Sequence, residues 1–119
     1  MTFRKLARVV VIASLVGLVL CACAFGALRW QMQSALDECS RIARTAHPHP
    51  ADTIAAMLDY AQSPSHSLRQ RNRMIWALGQ IRDPRALPFL ESACTGEPCD
   101  HEGNLCQHEL AKAIKLCQG

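Results

Sequence analysis

The longest run of uncharged residues, Val9–Leu28, most limits what this chain can fold into. Its sequence is VVVIASLVGLVLCACAFGAL, with no Asp, Glu, Lys or Arg. As an α-helix this run is about 30 Å long, which equals the thickness of the hydrocarbon layer of a bilayer. The residues that follow this run, about 90, are too few to cover such a helix in a water-soluble fold. The sequence therefore predicts a membrane-inserted helix followed by one small domain.

Basic residues are unevenly distributed around this run. Three precede it and one follows it directly: Arg4, Lys5, Arg8 and Arg29. An excess of positive charge marks the cytoplasmic side of a membrane helix. We therefore expect residues 1–8 in the cytoplasm and a transmembrane helix or signal anchor at 9–29. The rest of the chain is then expected on the outer, periplasmic side of the cytoplasmic membrane.

Three interpretations of the N-terminal segment stay open. It is an uncleaved anchor, a cleavable signal peptide with the small-residue site Ala22-Cys23-Ala24, or a lipoprotein signal ending at Cys23. The residues after Cys23 stay apolar as far as Leu28, whereas a lipoprotein usually turns polar there. This favours the anchor. All three interpretations predict a domain beyond the cytoplasmic membrane.

Outside this segment the chain is close to electrically neutral. Four of the 13 basic residues precede position 30, which leaves nine basic against ten acidic residues at 30–119. Nucleic-acid binding needs clustered positive charge, so nucleic acid is not expected as a partner. The low aromatic content of 5 % suits an all-α domain.

Two amphipathic helices joined by a tight turn are predicted between Arg71 and Leu90. The apolar face of the first consists of Met74, Ile75, Leu78 and Ile81. Asp83 is a typical N-cap, and Pro84 suits the first position of a second helix. The apolar side of that helix consists of Ala86, Leu87, Leu90, Ala93 and Cys94. Gly79 lies inside the first apolar face, where glycine is costly unless another backbone comes close.

The two predicted helices and their turn share a characteristic set of residues. It consists of Ala77-Leu78-Gly79, Ile81, Asp83-Pro84-Arg85-Ala86-Leu87-Pro88 and Leu90. The set resembles a short HEAT-like repeat of the type also found in phycobilisome lyases, at about residues 68–94. The resemblance implies an antiparallel helical hairpin with Gly79, Asp83, Pro84 and Arg85 at its turn. It also implies a scaffold that holds other proteins, but no lyase activity, because no residue matches a bilin-attachment motif.

The segment between the membrane helix and the repeat is predicted as a stalk and linker at 30–50. Gln31–Ala46 has apolar residues at helical spacing and is either a stalk or the first helix of a repeat. His47-Pro48-His49-Pro50 then ends the helix. Two histidines in a Pro-rich turn are more often a plain linker than a metal site.

A HEAT-like helical domain is predicted at 51–119. Asp52 caps its first helix, whose apolar face consists of Ile54, Met57, Leu58 and Ala61. Gly and Pro residues make Glu91–Asn104 an irregular loop. Leu105–Cys117 is predicted as the last helix.

Seven cysteines are a high count, and four of them crowd the last part of the chain: Cys94, Cys99, Cys106 and Cys117. In an oxidising compartment such crowding usually forms disulfides. Cys106 and Cys117 are about 16 Å apart on one predicted helix and cannot pair there. This leaves a Cys94–Cys99 link or crossed links. We expect Cys94 to pair with Cys117 and Cys99 with Cys106, with Cys39 left over.

A zinc site is the alternative for these residues. Cys94, Cys99, His101, Cys106 and His108 supply enough ligands. Their spacing matches no common zinc finger, so disulfides are favoured.

The sequence thus predicts a membrane-anchored, non-enzymatic scaffold of the cell envelope that binds another protein. It needs no cofactor, and no small-molecule substrate is expected. The alternative is a small metal- or redox-responsive protein that works through the C-terminal Cys/His cluster. A catalytic cysteine–histidine pair is not supported, because no oxyanion motif or orienting acid stands out.

The predicted topology can be tested with a reporter. Alkaline phosphatase fused after Gly119 and expressed in a bacterial host should be active, because this enzyme folds only outside the cytoplasm. The same fusion lacking residues 1–29 is the control and should be inactive. Equal activity of the two fusions would contradict the predicted topology.

Overall fold

The computed structural model describes residues 2–49 and 52–119, whose regular structure is helical. The elements are α1 (Phe3–Ala46), α2 (Thr53–Gln62), α3 (Leu68–Ile81), a 3-10 turn (Pro84–Ala86), α4 (Leu87–Ala93) and α5 (Gln107–Gln118). No strand occurs in these two ranges. The predicted all-α fold class, with a long apolar helix before a small helical domain, is confirmed. By its internal contacts the chain divides into two compact units, Met1–Ala35 and Leu36–Gly119.

The first unit consists of the apolar part of α1. Its most apolar window of 18 residues has a mean hydropathy of 2.7, and none of that window is buried. Large side chains such as Val9, Leu18 and Leu28 are more than half exposed. Among the described residues this is the one helix long and apolar enough to cross a membrane. A signal sequence has the same properties, so the structure fits both the anchor and the cleaved interpretations.

The remainder of α1 belongs to the second unit. The helix predicted for residues 31–46 is confirmed, since α1 runs without a break to Ala46. Cys39 and Ala43, one helical turn apart, are buried in the core of the second unit. The second unit therefore includes part of the predicted stalk, and the domain start at residue 51 stays a prediction. Pro50 and Ala51, where the predicted linker ends and the predicted domain begins, lie outside the described residues.

Helix α3 is central to the second unit. It packs against α2 and α5, and α5 also packs against α4. The largest fully buried side chains come from all four of these helices: Met57, Ile75, Leu78, Leu90 and Leu110. One core thus joins the predicted repeat to the helix before it and the helix after it.

Capping side chains fix where the helices begin. Asp52 Oδ1 accepts hydrogen bonds from the backbone N–H groups of Ile54 and Ala55 at the start of α2. Asp83 Oδ1 accepts from Arg85 N–H at the start of the 3-10 turn. Both residues act as the predicted N-caps, because a carboxylate oxygen satisfies a donor that lacks an intrahelical partner.

The turn between the two helices of the repeat differs in detail from the prediction. Arg82 adopts the left-handed conformation, with φ of 61°, and ends α3. The second helix begins as the 3-10 turn and becomes α-helical at Leu87. Pro88, which has no N–H to donate, lies in the first turn of α4, where that loss is tolerated.

One residue of the predicted apolar face is not buried. Met74, Ile75 and Leu78 are at most 2 % exposed, but Ile81 is 37 % exposed. Ile81 is the last residue of α3, and the chain turns away at Arg82 before another helix can cover it.

Gly79 lies at a close approach of two helix backbones. A Cβ atom at this position would lie 2.8 Å from Ala113 Cα and 3.0 Å from Ala113 Cβ on α5. Any side chain would force α3 and α5 apart. The prediction that another backbone comes close to Gly79 is confirmed.

Helix α5 begins two residues later than predicted, at Gln107. Cys106 precedes it in an extended conformation, so Leu105 lies outside the helix. Of the predicted apolar face, Leu110, Ala113 and Cys117 are buried. Leu105 and Ile114 are partly buried against the core.

The contact at Gly79 predicts an unusual response to alanine. Overpacking costs about 1–3 kcal/mol, whereas alanine gains about 1 kcal/mol of helix propensity. Because the clash involves backbone, we expect Gly79→Ala to lower the free energy of unfolding. Urea unfolding of the full chain in detergent, followed by circular dichroism, measures this change.

The matched control makes the reverse exchange at exposed Ala111 on α5. Ala111→Gly should also lower the free energy of unfolding, by about 1 kcal/mol, because only helix propensity acts there. A Gly79→Ala chain that is more stable than the parent would contradict the packing described for α3 and α5.

Candidate functional site

Arg85 joins the starts of two helical segments at the repeat turn. Its Nη2 atom lies 2.7 Å from Asp83 Oδ2, and its Nη1 atom lies 2.7 Å from Asp52 Oδ2. Since Asp83 caps the 3-10 turn and Asp52 caps α2, one guanidinium bridges both caps. Arg85 is largely exposed, so solvent screens both ion pairs and each contributes little stability. Of the predicted turn residues, Asp83 and Arg85 thus pair with each other, whereas Gly79 lies within α3. Asp52 is an additional member that sequence reasoning missed.

A groove between α3 and α5 lies beside Gly79. It has a volume of about 370 Å³ and is lined by Trp76, Gly79, Gln80, Glu109, Lys112, Ala113, Lys115 and Leu116. Because Gly79 has no side chain, nothing at this position fills the groove next to the contact with Ala113. Trp76 and Leu116 are partly exposed and give it apolar walls.

Two lysines of α5 give the edge of this groove its charge. Lys112 Nζ lies 3.8 Å from Glu109 Oε1, one turn earlier on the helix. Lys115 is also exposed and lines the groove. The edge therefore carries two positive charges and one negative charge, around apolar walls.

The structure brings together one of the two predicted cysteine pairs. Cys99 Sγ and Cys106 Sγ are 3.8 Å apart. Cys99 is exposed, and its sulfur accepts a hydrogen bond from His108 N–H at 3.4 Å in the first turn of α5. This bond lowers the pKa of the Cys99 thiol below its ordinary value. Cys106 is 8 % exposed.

The other cysteines have different surroundings. The buried Cys117 thiol donates to Leu78 O at 3.7 Å, whereas Cys94 is partly exposed where α4 ends. Burial raises the pKa of the Cys117 and Cys39 thiols. All seven cysteines lie in the described ranges as free thiols, and the Cys94–Cys117 disulfide stays a prediction.

The alternative zinc ligands do not converge. Across residues 2–49 and 52–119, no group of three or more His, Cys, Asp or Glu side chains is arranged to hold a metal ion. His101 lies in the irregular segment and is exposed, as is His108 on α5. Among the described candidates, the one close pair of sulfur atoms is that of Cys99 and Cys106, at 3.8 Å.

A cluster of aromatic rings connects the end of α1 with the loop before α3. His47 Nε2 lies 2.9 Å from His66 Nε2, and the His66 ring stacks on Tyr60 with centroids 3.7 Å apart. His49 contacts Asp59 on α2. Only one of the two facing imidazole nitrogens can donate the hydrogen bond between His47 and His66, and the tautomers decide which one. Sequence reasoning missed this cluster because it treated His47 and His49 as linker residues.

Comparison with known proteins gives one family match. Residues 70–96 match the PBS lyase HEAT-like repeat. The chain therefore contains one such repeat, which covers most of α3, the 3-10 turn and α4, and the resemblance predicted at about 68–94 is confirmed. No match was found among curated proteins or among solved structures. A HEAT-like repeat suggests a role in protein interaction.

The Asp83 cap predicts a pH-dependent stability. Hydrogen bonds from the Arg85 side chain and backbone lower the pKa of Asp83, so the charged carboxylate favours the folded state. This stability is present above the unfolded pKa of about 3.9 and is lost as pH falls through the lowered folded pKa. Asp83→Asn keeps a good N-cap but removes the charge. It should be less stable than the parent at pH 6, with a difference that disappears at pH values below both pKa values.

Urea unfolding of both chains across this pH range measures the difference. Glu97→Gln, in the exposed segment before α5, is the charge-matched control and should show no such trend. A gap between parent and Asp83→Asn that does not change with pH would contradict the role of the carboxylate charge.

Proposed function

We propose that this chain is a membrane-anchored, non-enzymatic module that binds another protein in the cell envelope. The observation that carries the proposal is the HEAT-like repeat at 70–96, together with the open groove beside Gly79. A helical repeat buries one apolar face against its neighbours and offers another surface for recognition. The protein-binding role therefore belongs to α3 and α5.

The groove fits an amphipathic helical segment of a partner. Trp76 and Leu116 offer partly exposed apolar surface, and aromatic side chains in such positions commonly anchor a partner helix. Lys112 and Lys115 at the edge favour acidic residues beside the partner's apolar stripe. We therefore propose an acidic amphipathic helix as the occupant.

The uncharged run of α1 supports the anchoring part of the proposal. It is long enough for the bilayer, and its large apolar side chains are exposed. The excess of basic residues before it favours a cytoplasmic N-terminus and a periplasmic domain. An uncleaved anchor keeps the chain in the same membrane as membrane-bound partners.

The alternative function, a metal- or redox-responsive protein, has two parts with different support. The metal part has no converging set of ligands in the described residues. The redox part has one specific observation in its favour, the 3.8 Å separation of the Cys99 and Cys106 sulfur atoms.

The binding role can be tested by photo-cross-linking from the groove. A photoreactive amino acid at Leu116 should cross-link the full chain to a defined protein in intact membranes. Reversing the charge at the groove edge, with Lys112→Glu and Lys115→Glu, should reduce the cross-linked product by about tenfold, because acidic residues of the partner are then repelled.

Arg69→Glu is the matched control. Arg69 is exposed on α3 and does not line the groove, so its charge reversal should leave the yield unchanged. Equal yields from the parent and the lysine variant, with unchanged circular dichroism, would contradict the groove as the binding surface.

A further inference from the structure

We infer that Cys99 and Cys106 form a thiol–disulfide exchange site, in which Cys99 is the attacking thiol and Cys106 the resolving thiol. This inference goes beyond the protein-binding role and does not depend on it. It also goes beyond a static disulfide, because the two sulfur atoms are assigned different roles. The contacts of the two residues supply the assignment.

The first support is the distance between the two thiols. Their sulfur atoms are 3.8 Å apart, whereas a disulfide bond is about 2.05 Å long. Cys99 lies in the irregular segment after α4, and Cys106 directly precedes α5. Cys106 is held in place because its N–H donates to Asn72 Oδ1 on α3 at 2.9 Å. A small shift of the segment that carries Cys99 is therefore enough for the bond to form.

The second support is the difference in exposure. Cys99 is exposed to solvent, so the sulfur of an external disulfide can reach it. Cys106 is 8 % exposed, so a bulky disulfide cannot approach it directly. The order of reaction follows from this difference, with Cys99 reacting first.

The third support is the environment of the Cys99 sulfur. It accepts the His108 N–H at 3.4 Å in the first turn of α5. Donated hydrogen bonds and the positive end of a helix both favour the thiolate, which is the nucleophilic form. The lowered pKa of Cys99 agrees with this contact.

The exchange proceeds in two balanced steps with a disulfide, RSSR, as the oxidant. In the first step the Cys99 thiol loses its proton to solvent, and its sulfur attacks one sulfur of RSSR. A Cys99–SR bond forms, and RS⁻ leaves and takes up a proton. In the second step the Cys106 thiol loses its proton and its sulfur attacks the Cys99 sulfur, which releases the second RS⁻. Two thiols are oxidised and RSSR is reduced to two RSH.

The bond would change a cavity next to the pair. This cavity has a volume of about 450 Å³, and its walls include Leu68 and Arg71 of α3 as well as Thr95, Pro98 and Leu105 of the connecting segment. Oxidation would fasten this segment to the start of α5.

The test uses the full chain in detergent, reduced with a dithiol and freed of the reductant. Oxidised glutathione is added, free thiols are blocked with iodoacetamide, and peptides are identified by mass spectrometry. The parent chain should form the Cys99–Cys106 disulfide. Cys106→Ser should instead accumulate glutathione on Cys99, because no thiol remains to resolve the mixed disulfide. In the Cys99→Ser chain, glutathione should attach to Cys106 about tenfold more slowly than it attaches to Cys99 in the Cys106→Ser chain.

Cys94→Ser is the matched control, since Cys94 is partly exposed and, in the described part of the chain, the first turn of α5 donates its sulfur hydrogen bond to Cys99 instead. It should leave the rate of the Cys99–Cys106 bond unchanged. A measurement on the reduced parent chain needs no variant. With limiting iodoacetamide, Cys99 should be alkylated before Cys39, Cys94, Cys106 and Cys117.

Three results would overturn the inference. The first is glutathione on Cys94 of the Cys106→Ser chain at the same rate as on Cys99. The second is a parent chain in which Cys94 is alkylated first. The third is a Cys99–Cys106 bond that dithiol reductants cannot open, because such a bond would be a static bridge.

Discussion

The close approach of α3 and α5 at Gly79 is the constraint on which the rest of the domain depends. An α-carbon without a side chain lets Ala113 come within a distance that no Cβ atom tolerates. This contact brings α5 against the repeat, completes the core around Leu78 and Leu110, and leaves the groove beside Trp76 open. A packing requirement of the fold and a candidate binding surface therefore share one residue.

The repeat accounts for 70–96 only, and the residues around it complete the domain. Part of α1 adds Cys39 and Ala43 to the core, and α5 covers the other side of α3. A single helical pair leaves apolar edges uncovered, so these neighbouring helices stabilise it without repeating its sequence. The same arrangement places α5 so that its first turn contacts Cys99. Helix α5 therefore both packs against the repeat and supplies the hydrogen bond to the Cys99 sulfur.

Features governed by local rules could be predicted from the sequence. Asp83 is a cap because its side chain reaches the next backbone N–H groups, and Gly79 signals a close backbone because glycine is costly inside a helix. Ile81 shares the apolar face of α3 by its spacing but is 37 % exposed, since periodicity does not reveal where neighbouring helices stop.

Long-range contacts could not be predicted in this way. His47 and His66 meet only because the fold brings separate segments together, and the same is true of Arg85 and Asp52. The short spacing of the C-terminal cysteines in the sequence was enough to suggest that Cys99 and Cys106 are neighbours. It could not reveal that one is exposed beside a helix start and the other buried.

The most direct test of this account is a nuclear Overhauser measurement between Gly79 and Ala113. The full chain in detergent micelles, labelled with ¹³C at glycine α-carbons and alanine methyl groups, isolates this pair of signals. We expect a strong cross-peak between the Gly79 α-protons and the Ala113 methyl group, because one α-proton points where a Cβ would lie 3.0 Å from the methyl carbon. A spectrum with assigned signals for both residues and no cross-peak between them would contradict the packing of α3 against α5, and with it the groove.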